Sequence, residues 1–476
     1  MERKNKKTIS RRDFLKIMGA GATVTAAGLA GCSPKNSISD SVSNNGRQLG
    51  EVPTDKMTYR ITPNTGDKVS LLGYGCMRWP LKQKSDGSDE EVVDQEAVND
   101  LVDYAIAHGV NYFDTAPPYV RGLSEAATGI ALSRHPRDKY FIATKMSNQR
   151  LTDQGLSGEP LYKASVAMYR NSLELLKTDY LDYYLLHSIG GGEGDGTPLL
   201  RTRFFDSGVL DFMLKEREAG RIRNLGFSFH GNVKAYDYLL QTDIKWDFVQ
   251  IQLNYIDWQH ASGWNVNAEY LYGELDKRGI PAIIMEPLLG GRLSRIPIHA
   301  MEILKRDRPE DSAAAWAFRY AGTPGKVLTV LSGMVYMEHL QEDIITYSPL
   351  KPLNEAEYAS LEQVTEIMLN AEFVQCTTCQ YCMPCPYGLD IPEIFAHYNR
   401  CVSEGNRANS SGDENYRKAR RAFLIGYDRR VPRLRQANHC IGCDRCKPNC
   451  PQRIDIPEEM QKIDRFVEQL KQGAAF

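Results

Sequence analysis

Eight of the eleven cysteines lie in two short runs near the C-terminus, and each run ends in Cys-Pro. Two residues separate the members of the first run: Cys376, Cys379, Cys382 and Cys385. The second run has a longer gap of three residues before its last member: Cys440, Cys443, Cys446 and Cys450. Structural zinc more often takes two separated Cys-x-x-Cys hairpins, and disulfides would leave most of these neighbours with poor partners. The spacing therefore predicts two iron–sulfur clusters of the 4Fe–4S type, each held by thiolates from a short loop.

Each run also belongs to an internal repeat that continues into a helix signal. The letters CPYGLDIPEI at residues 385–394 recur as CPQRIDIPEE at residues 450–459. In both copies, Asp-Ile-Pro-Glu offers a capping Asp, a Pro suited to the first turn and a Glu that completes a capping box. We therefore expect each cysteine run to lead directly into a helix.

The second run has the spacing of bacterial ferredoxins, and the first is one residue shorter before its last cysteine. Residues 351–476 accordingly resemble a small, mostly helical ferredoxin-type domain with two clusters. The resemblance implies crossed ligation, in which the last cysteine of each run binds the cluster of the other run. The first cluster would then have four ligands from both runs: Cys376, Cys379, Cys382 and Cys450. The second would have the remaining four: Cys440, Cys443, Cys446 and Cys385.

A second set of polar residues lies where apolar runs end in the middle of the chain. Asp114 ends the run NYFD, and Tyr119 follows five residues later. Lys145 ends the run FIATK, and His187 lies near the end of YLLHS. Each residue alone fits an ordinary role, such as a capping Asp, a surface Tyr or Lys, or a satisfied His. Together they would supply acid–base chemistry, because a lysine lowers the pKa of a nearby tyrosine from its usual ~10.

Short apolar runs alternate with amphipathic helical patterns between residues 57 and 350. The strand candidates number eight: residues 69–76, 111–114, 141–145, 180–187, 225–228, 248–253, 281–285 and 327–331. The clearest helical patterns lie at residues 94–108, 162–177, 209–220 and 267–278. The alternation predicts an α/β fold, a (β/α)8 TIM barrel, whose chemistry lies where strands end. An open doubly wound sheet is the alternative, but no Gly-x-Gly-x-x-Gly turn follows an early strand.

This middle segment resembles the aldo-keto reductase family. Four residues match the catalytic tetrad of the family: Asp114, Tyr119, Lys145 and His187. Six further residues match its cofactor-binding positions: Ser228, Gln250, Glu286, Pro287, Leu288 and Gly333. The resemblance implies interconversion of a small carbonyl and an alcohol with NAD(P)(H). In that reaction Tyr119 moves the proton, Lys145 stabilises the phenolate and is fixed by Asp114, and His187 orients the carbonyl oxygen.

Three departures from the family pattern concern the cofactor. Phe229 and His230 follow Ser228 where the family usually has Asn, and we interpret His230 as an ordinary loop histidine. Met285 replaces an aromatic residue that often stacks on the nicotinamide. Residues 333–335, Gly-Met-Val, lack the cation that commonly binds the 2′-phosphate of NADPH. The sequence therefore predicts that NADH binds at least as well as NADPH.

The N-terminus resembles an export signal. Basic residues precede Ser-Arg-Arg-Asp-Phe-Leu-Lys at residues 10–16, which looks like a twin-arginine signal, and a mild apolar stretch follows. Leu-Ala-Gly-Cys at residues 29–32 resembles a lipoprotein cleavage box, which predicts lipidation of Cys32 and a tether to the membrane. An ordinary cleaved signal is the alternative. Residues 1–32 are thus predicted to be a signal peptide and residues 33–56 a flexible tether, in a periplasmic or cell-envelope protein.

The composition limits the number of domains and the classes of function that the chain can have. With 476 residues, two or three domains are expected, and 42% hydrophobic with 25% charged residues is typical of a soluble globular protein. The net charge of −2 gives no argument for nucleic-acid binding. Cys76 and Cys401, which lie outside the two runs, are predicted to be packing residues.

Three functions from different classes fit these observations. The first is a carbonyl–alcohol oxidoreductase, which the complete tetrad favours. The second is an exported iron–sulfur electron-transfer protein whose barrel is a docking or binding scaffold, which the predicted compartment favours, because free nicotinamide is not expected there. The third is a barrel that binds a small molecule without turnover. Nicotinamide transfers electrons in pairs whereas clusters take them singly, so the clusters are either structural or serve an external redox partner protein.

Overall fold

The computed structural model describes residues 49–84, 91–191, 194–263, 265–408 and 410–473. The predicted signal peptide, with Cys32, and most of the predicted tether lie outside these residues. Within the described ranges, no helix has both the length and the apolar character needed to cross a bilayer.

Twelve strands occur in the described residues: β1 (Tyr59–Ile61), β2 (Lys68–Ser70), β3 (Leu72–Gly75), β4 (Leu81–Gln83), β5 (Glu91–Val93), β6 (Tyr112–Asp114), β7 (Phe141–Met146), β8 (Leu181–Ile189), β9 (Ile222–Phe229), β10 (Phe248–Gln252), β11 (Ala282–Met285) and β12 (Val327–Ser332). Eight of them, β3 and β6 to β12, form a closed parallel barrel in which chain neighbours pair and β12 returns to β3. The other four form two antiparallel hairpins, β1–β2 and β4–β5. The predicted TIM barrel is confirmed.

Sixteen α-helices occur in the described residues: α1 (Gln95–Ala107), α2 (Ser124–Leu132), α3 (Gln149–Asp153), α4 (Gly158–Leu176), α5 (Thr197–Leu200), α6 (Val209–Glu218), α7 (Val233–Leu240), α8 (Asp257–His260), α9 (Ala268–Arg278), α10 (Ile298–Asp307), α11 (Ala313–Gly322), α12 (Met337–Thr346), α13 (Glu355–Asn370), α14 (Ile391–Ser403), α15 (Tyr416–Arg430) and α16 (Ile456–Gln472). The larger helices alternate with the barrel strands as a (β/α)8 fold requires.

The predicted strands agree with the observed ones to within a few residues, with one correction. The apolar run at residues 69–76 is not a single strand, because Ser70 ends the hairpin strand β2 and Leu72 starts the barrel strand β3. The Ser70 hydroxyl donates to the carbonyl of Leu72 at 2.7 Å, which stabilises the bend at Leu71. Cys76 lies beyond β3, in a 3-10 turn, and is fully buried.

Aromatic side chains fill the barrel interior. Tyr183 packs edge-on against Tyr112 and Phe248, with ring centroids 4.9 and 5.2 Å apart. The Tyr183 hydroxyl pairs with Thr62 Oγ1, in the turn of the β1–β2 hairpin, at 2.6 Å. Because Tyr183 lies near the start of β8, this hairpin closes the amino-terminal end of the barrel. The carboxyl end of the barrel is therefore left for chemistry.

The chain divides into two compact units. The first comprises the residues up to Leu253, Ala268–Pro287 and Phe318–Pro352, and it contains all the barrel strands. The second comprises Asn254–Asn267, Leu288–Ala317 and Leu353–Phe476. The sequence placed a single boundary between residues 350 and 351, and the last segment of the second unit starts close to it. Two inner segments of the predicted barrel range also group with the C-terminal residues.

The second unit is mostly helical in its C-terminal part. Phe395 on α14, Phe423 on α15 and Met460 on α16 are fully buried in one apolar core, against which the cysteine runs pack. As expected, each cysteine run leads directly into a helix. Asp390 caps α14 by accepting from the Glu393 backbone N–H at 3.4 Å, and Asp455 caps α16 in the same way.

Candidate functional site

Three neighbouring barrel strands, and the turn that follows the first of them, hold the predicted tetrad. Asp114 is the last residue of β6, Lys145 lies near the end of β7, and His187 lies near the end of β8. Tyr119 starts a short 3-10 turn after β6, in which Val120 and Arg121 have φ of 49° and 55°. Such left-handed backbone in non-glycine residues is uncommon and is often found at functional sites. The structure therefore brings the tetrad together at one end of the barrel.

Lys145 and Asp114 form a buried ion pair. Lys145 Nζ lies 2.5 Å from Asp114 Oδ1 and also donates to the carbonyl of Thr115 at 2.8 Å. The two side chains are only 1% and 3% exposed. Burial raises the pKa of Asp114, whereas Lys145 and the Gln250 amide partly offset this effect. The pair fixes the position of the ammonium group, as the sequence predicted.

Tyr119 lies beside this pair and beside His187. Lys145 Nζ is 4.9 Å from the centre of the Tyr119 ring, and the His187 ring meets it edge-on with centroids 5.9 Å apart. Burial raises the pKa of the Tyr119 phenol well above its usual value, and the nearby Asp114, Cys76 and Glu286 raise it further. This direction is opposite to the expected lowering by Lys145, because burial disfavours the charged phenolate. The phenol is thus held in its protonated form.

His187 is held neutral and oriented. Burial, followed by the positive charges of Lys145 and Arg203, lowers the pKa of His187 well below its usual value. Its Nδ1 lies 2.5 Å from Ser147 Oγ, whereas the next acceptor for the Ser147 hydroxyl, the Lys145 carbonyl, is 3.5 Å away. The Ser147 hydroxyl therefore donates its hydrogen bond to Nδ1 of His187. Because Nδ1 is the acceptor, the imidazole proton is on Nε2. The sequence analysis did not identify Ser147.

Arg203 fixes the backbone at the end of β8. This buried side chain donates to the His187 carbonyl at 2.7 Å, to the Ser188 carbonyl at 3.2 Å and to Asn148 Oδ1 at 3.0 Å. Ser188, which follows His187, has a left-handed φ of 53°. The Ser188 backbone N–H donates to Ser228 Oγ at 2.9 Å. These bonds hold the strand end that carries His187 in one conformation.

The segment after Tyr119 forms hydrogen bonds to residues that are next to the tetrad in the chain. Ser124 Oγ pairs with Thr115 Oγ1 at 2.8 Å and donates to the Cys76 carbonyl at 2.7 Å. The buried Glu125 carboxylate accepts a hydrogen bond from Thr144 Oγ1 at 2.6 Å, and Thr144 directly precedes Lys145 in the chain. Cys76 is buried, as predicted, but it also lies within electrostatic range of Tyr119. It is therefore part of the wall of this site as well as a packing residue.

Two of the predicted cofactor residues lie on the next two barrel strands, and the Gln250 side chain contacts Asp114 of the tetrad. Ser228 is on β9 and Gln250 on β10. Gln250 Oε1 is buried and has no hydrogen-bond partner among the described residues. Such an oxygen fits an amide N–H donor, the group that a nicotinamide carboxamide offers. The residues present thus fit the expected cofactor at this position.

The other predicted cofactor residues divide between the two units. Glu286, which has a left-handed φ of 56°, and Pro287 follow β11 in the first unit, whereas Leu288 belongs to the second. Gly333 follows β12, and a Cβ at this position would lie 3.6 Å from Arg78 Cδ. Arg78 was not identified from the sequence. It places a cation beside the segment that was expected to lack one.

The eight cysteines of the two runs form two groups within the second unit. Four of them line one cavity: Cys376, Cys379, Cys382 and Cys450. The thiol of Cys446 lies within electrostatic range of the other three: Cys440, Cys385 and Cys443. Cys446 also lies within electrostatic range of Cys382, so the two groups adjoin each other.

The backbone of the two runs repeats as well as the sequence. Thr378 and Gly442, at equivalent positions, have left-handed φ of 51° and 72°, and so do Gln380 and Asp444, at 66° and 59°. The Thr378 backbone N–H lies 3.3 Å from Cys376 Sγ. Burial raises the pKa of Cys376 to about 12, so a thiolate here needs a cationic centre. These features fit two iron–sulfur clusters.

Arg292 brings a positive charge to the first run. Its guanidinium donates to Gln375 Oε1 at 2.6 Å and lies 5.3 Å from the centre of the Phe373 ring. It also lies within electrostatic range of Cys376 and lowers the pKa of that thiol, although burial dominates. The loop that carries Arg292 packs closely here, since a Cβ at Gly290 would meet the Thr377 backbone at 2.3 Å.

Comparison with known proteins assigns both parts of the chain. Residues 71–366, more than half of the chain, match the Aldo/keto reductase family. The chain belongs to the aldo/keto reductase family. Residues 375–454 match the 4Fe-4S dicluster domain, and this range holds all eight cysteines of the two runs. This member of the aldo/keto reductase family therefore carries a C-terminal 4Fe–4S dicluster domain.

Individual relatives of this aldo/keto reductase cover different shares of it. It is 31% identical over 193 residues to Protein tas of Escherichia coli. The alignment covers 36% of the chain and 52% of that relative. The chain thus spans about half the length of this relative. The Uncharacterized oxidoreductase YqkF of Bacillus subtilis is 26% identical over 322 residues, 63% of the chain and 93% of the relative.

A solved structure agrees with the barrel fold of this aldo/keto reductase. The thermostable aldo-keto reductase Tm1743, in complex with the inhibitor epalrestat, aligns with a TM-score of 0.50 and 21% sequence identity. The alignment covers 65% of this chain and 100% of Tm1743. At this identity, the likeness concerns the fold alone.

Proposed function

We propose that this oxidoreductase interconverts a small carbonyl and an alcohol with NAD(P)(H), through the tetrad of Asp114, Tyr119, Lys145 and His187. The observation that carries the proposal is that a buried Lys145–Asp114 ion pair and a neutral His187 flank the ring of Tyr119. The cofactor, when bound, supplies or accepts the hydride. The remaining steps belong to side chains of the barrel.

In this proposal, Tyr119 is the proton donor for carbonyl reduction. The raised pKa keeps the phenol protonated at neutral pH, so that it can donate to the carbonyl oxygen as negative charge develops there. The ammonium group of Lys145 then stabilises the phenolate that remains, at a position fixed by Asp114. Lys145 thus acts on the product of proton transfer rather than on the resting phenol.

His187 orients the substrate. With its pKa lowered and its Nδ1 accepting from Ser147, the imidazole presents an N–H at Nε2 as a hydrogen-bond donor to the carbonyl oxygen. A neutral donor holds the oxygen without competing with Tyr119 for the role of acid. Gln250 Oε1 provides a buried acceptor for the carboxamide of the cofactor.

Label transfer tests this proposal directly. Nicotinamide cofactor carrying deuterium at C4 is incubated with the holoprotein and a panel of dicarbonyls and aldehydes, and the products are analysed by mass spectrometry. We expect deuterium at the former carbonyl carbon of at least one substrate. No transfer across the panel, together with no binding of either cofactor in a fluorescence titration, would overturn the proposal. That outcome would favour the second function, an iron–sulfur electron-transfer protein whose barrel is a scaffold.

We further propose that the C-terminal domain holds two 4Fe–4S clusters with crossed ligands. The first uses Cys376, Cys379, Cys382 and Cys450, and the second uses Cys440, Cys443, Cys446 and Cys385. The cavity lined by the first set and the electrostatic grouping of the second support this arrangement. Thiolates from two segments also tie the repeats together, so that the clusters stabilise the domain.

The export signal leads to a proposal about location. We propose that Arg11 and Arg12 direct the folded, cluster-loaded protein through the twin-arginine pathway and that Cys32 is then acylated, which tethers the protein to the membrane in the periplasm or cell envelope. Arg11→Lys with Arg12→Lys should retain the protein in the cytoplasm, and Cys32→Ala should release exported protein from the membrane fraction. Mass spectrometry of the mature N-terminus decides the lipid, because an unmodified start elsewhere contradicts acylation but not export.

A further inference from the structure

The outward face of α15 carries an excess of positive charge. Its exposed cations are Arg417, Lys418, Arg421 and Arg429. Among the described residues, these four cations form no ion pair, and together with Ile425 they are called the basic face here. By contrast, Arg420 of the same helix donates to the Leu470 and Lys471 carbonyls at the end of α16, and Arg430 pairs with Glu393.

The arrangement of charges on this face opposes helix stability. Arg417 and Arg421 are four residues apart, and Lys418 and Arg421 are three apart, so like charges are neighbours on the helix surface. A helix that tolerates this repulsion is better stabilised when a negatively charged partner covers the face.

The basic face is an open surface along one helix. The exposed side chain of Ile425 lies among its cations. Arg417 and Arg429 are twelve residues apart in a helix, which corresponds to about 18 Å along its axis. This length exceeds a single phosphate group and matches the contact patch of a small protein. One exposed isoleucine is too little apolar surface for insertion into a membrane.

The opposite face of α15 lies on the core that carries the cysteines. Phe423 and Tyr427 are buried there, in the apolar core that also contains Cys450. Cys385 and Cys446 are among the half-buried side chains packed against the same core. The helix that carries the basic face therefore shares one apolar core with the cysteine runs.

We propose that the basic face is the docking surface for an acidic one-electron carrier protein. Charge complementarity would steer the carrier to this face and fix its orientation, with Ile425 as a central apolar contact. In each encounter, a reduced cluster loses one electron and the carrier gains one, or the reverse. No hydride, proton or nicotinamide is needed for this exchange, so it is independent of the chemistry proposed for the barrel.

The test uses two one-electron acceptors of opposite charge, an acidic b-type cytochrome and a basic c-type cytochrome. Holoprotein is reduced with dithionite and desalted anaerobically, and the reduction of each haem is followed by stopped-flow absorbance. We expect rapid reduction of the acidic cytochrome that slows steeply as salt is added. Arg417→Glu with Arg421→Glu should slow it about tenfold or more, and reduction of the basic cytochrome should not fall.

A matched control separates this face from the total charge. Lys305→Glu with Arg306→Glu makes the same change of charge on α10, at two other exposed cations of the second unit, and should alter the rate by less than about twofold. Visible absorbance and circular dichroism establish that clusters and fold are intact in all variants. Equal slowing by both pairs, or no slowing by the Arg417 and Arg421 pair, would overturn the proposal. Loss of binding to phosphatidylserine vesicles in that pair, with unchanged haem reduction, would overturn it in favour of a membrane.

Discussion

The hydroxyl of Ser147 lies 2.5 Å from Nδ1 of His187, and it joins the end of one barrel strand to the next. The contact decides which nitrogen of the imidazole carries the proton, because a neutral ring has only one N–H. The low pKa of His187 makes this choice important. A protonated ring would offer donors at both nitrogens, whereas the neutral ring offers its N–H to the substrate only in one tautomer.

The first prediction concerns this contact. Ser147→Ala removes the donor to Nδ1, and we expect kcat to fall about 3- to 10-fold, which corresponds to one net hydrogen bond. Ser147→Thr, which keeps the hydroxyl, should restore most of the activity. The parent should show no break in its pH–rate profile near the usual His pKa of ~6.5, since the low pKa of His187 keeps the ring neutral there. Equal activity of the parent and the alanine variant would contradict the positioning role.

The second prediction concerns the potential of the first cluster. A positive charge beside Cys376 stabilises the reduced, more negative cluster, so Arg292→Gln should lower its reduction potential. An anaerobic redox titration followed by electron paramagnetic resonance measures both clusters, and the second serves as the internal control. Arg295→Gln removes an exposed cation from the same part of the chain and should leave both potentials close to the parent values. A common shift of both clusters in Arg292→Gln would argue against a local effect.

Crossed ligation gives the third prediction. Cys385→Ser should perturb the spectrum of the cluster held mainly by the second run, and Cys450→Ser should perturb that of the first. Iron content and electron paramagnetic resonance of anaerobically purified protein distinguish the two. If each substitution instead disturbs the cluster of its own run, the ligation is uncrossed. Stoichiometric zinc in place of iron would rule out both arrangements.

The fourth prediction concerns cofactor preference. No cation was found in residues 333–335, and Arg78 is the cation that the structure adds beside Gly333. We expect NADH to bind at least as tightly as NADPH in a fluorescence titration. If Arg78 binds the diphosphate that both cofactors share, Arg78→Met should weaken both by a similar factor. A loss confined to NADPH would show that Arg78 recognises the 2′-phosphate and that the predicted preference is wrong.

The sequence predicts the barrel well because its strands are buried on both sides. Such strands appear as continuous apolar runs, and the residues that end them, such as Asp114 and Lys145, mark the site. The same property caused the one strand error. Continuous burial across residues 69–76 hides the bend at Leu71, which depends on a hydrogen bond from the Ser70 side chain.

Features that depend on contacts between distant residues could not be read from the sequence. Ser147 and His187 are forty residues apart, and Arg292 and Gln375 are eighty-three apart. Nothing in the local pattern at either position indicates its partner. The raised pKa of Tyr119 also depends on burial and on three neighbouring groups, so residue types alone gave the wrong direction.

The central claim is that Tyr119 is the proton donor, and a single substitution tests it most directly. Tyr119→Phe removes the hydroxyl and keeps the ring that packs beside Lys145 and His187. Single-turnover oxidation of bound nicotinamide by a reactive dicarbonyl, measured with parent and variant holoprotein, should slow by about 10²- to 10⁴-fold. Cofactor affinity and cluster absorbance should stay close to the parent values. A variant that turns over at the rate of the parent would contradict the account.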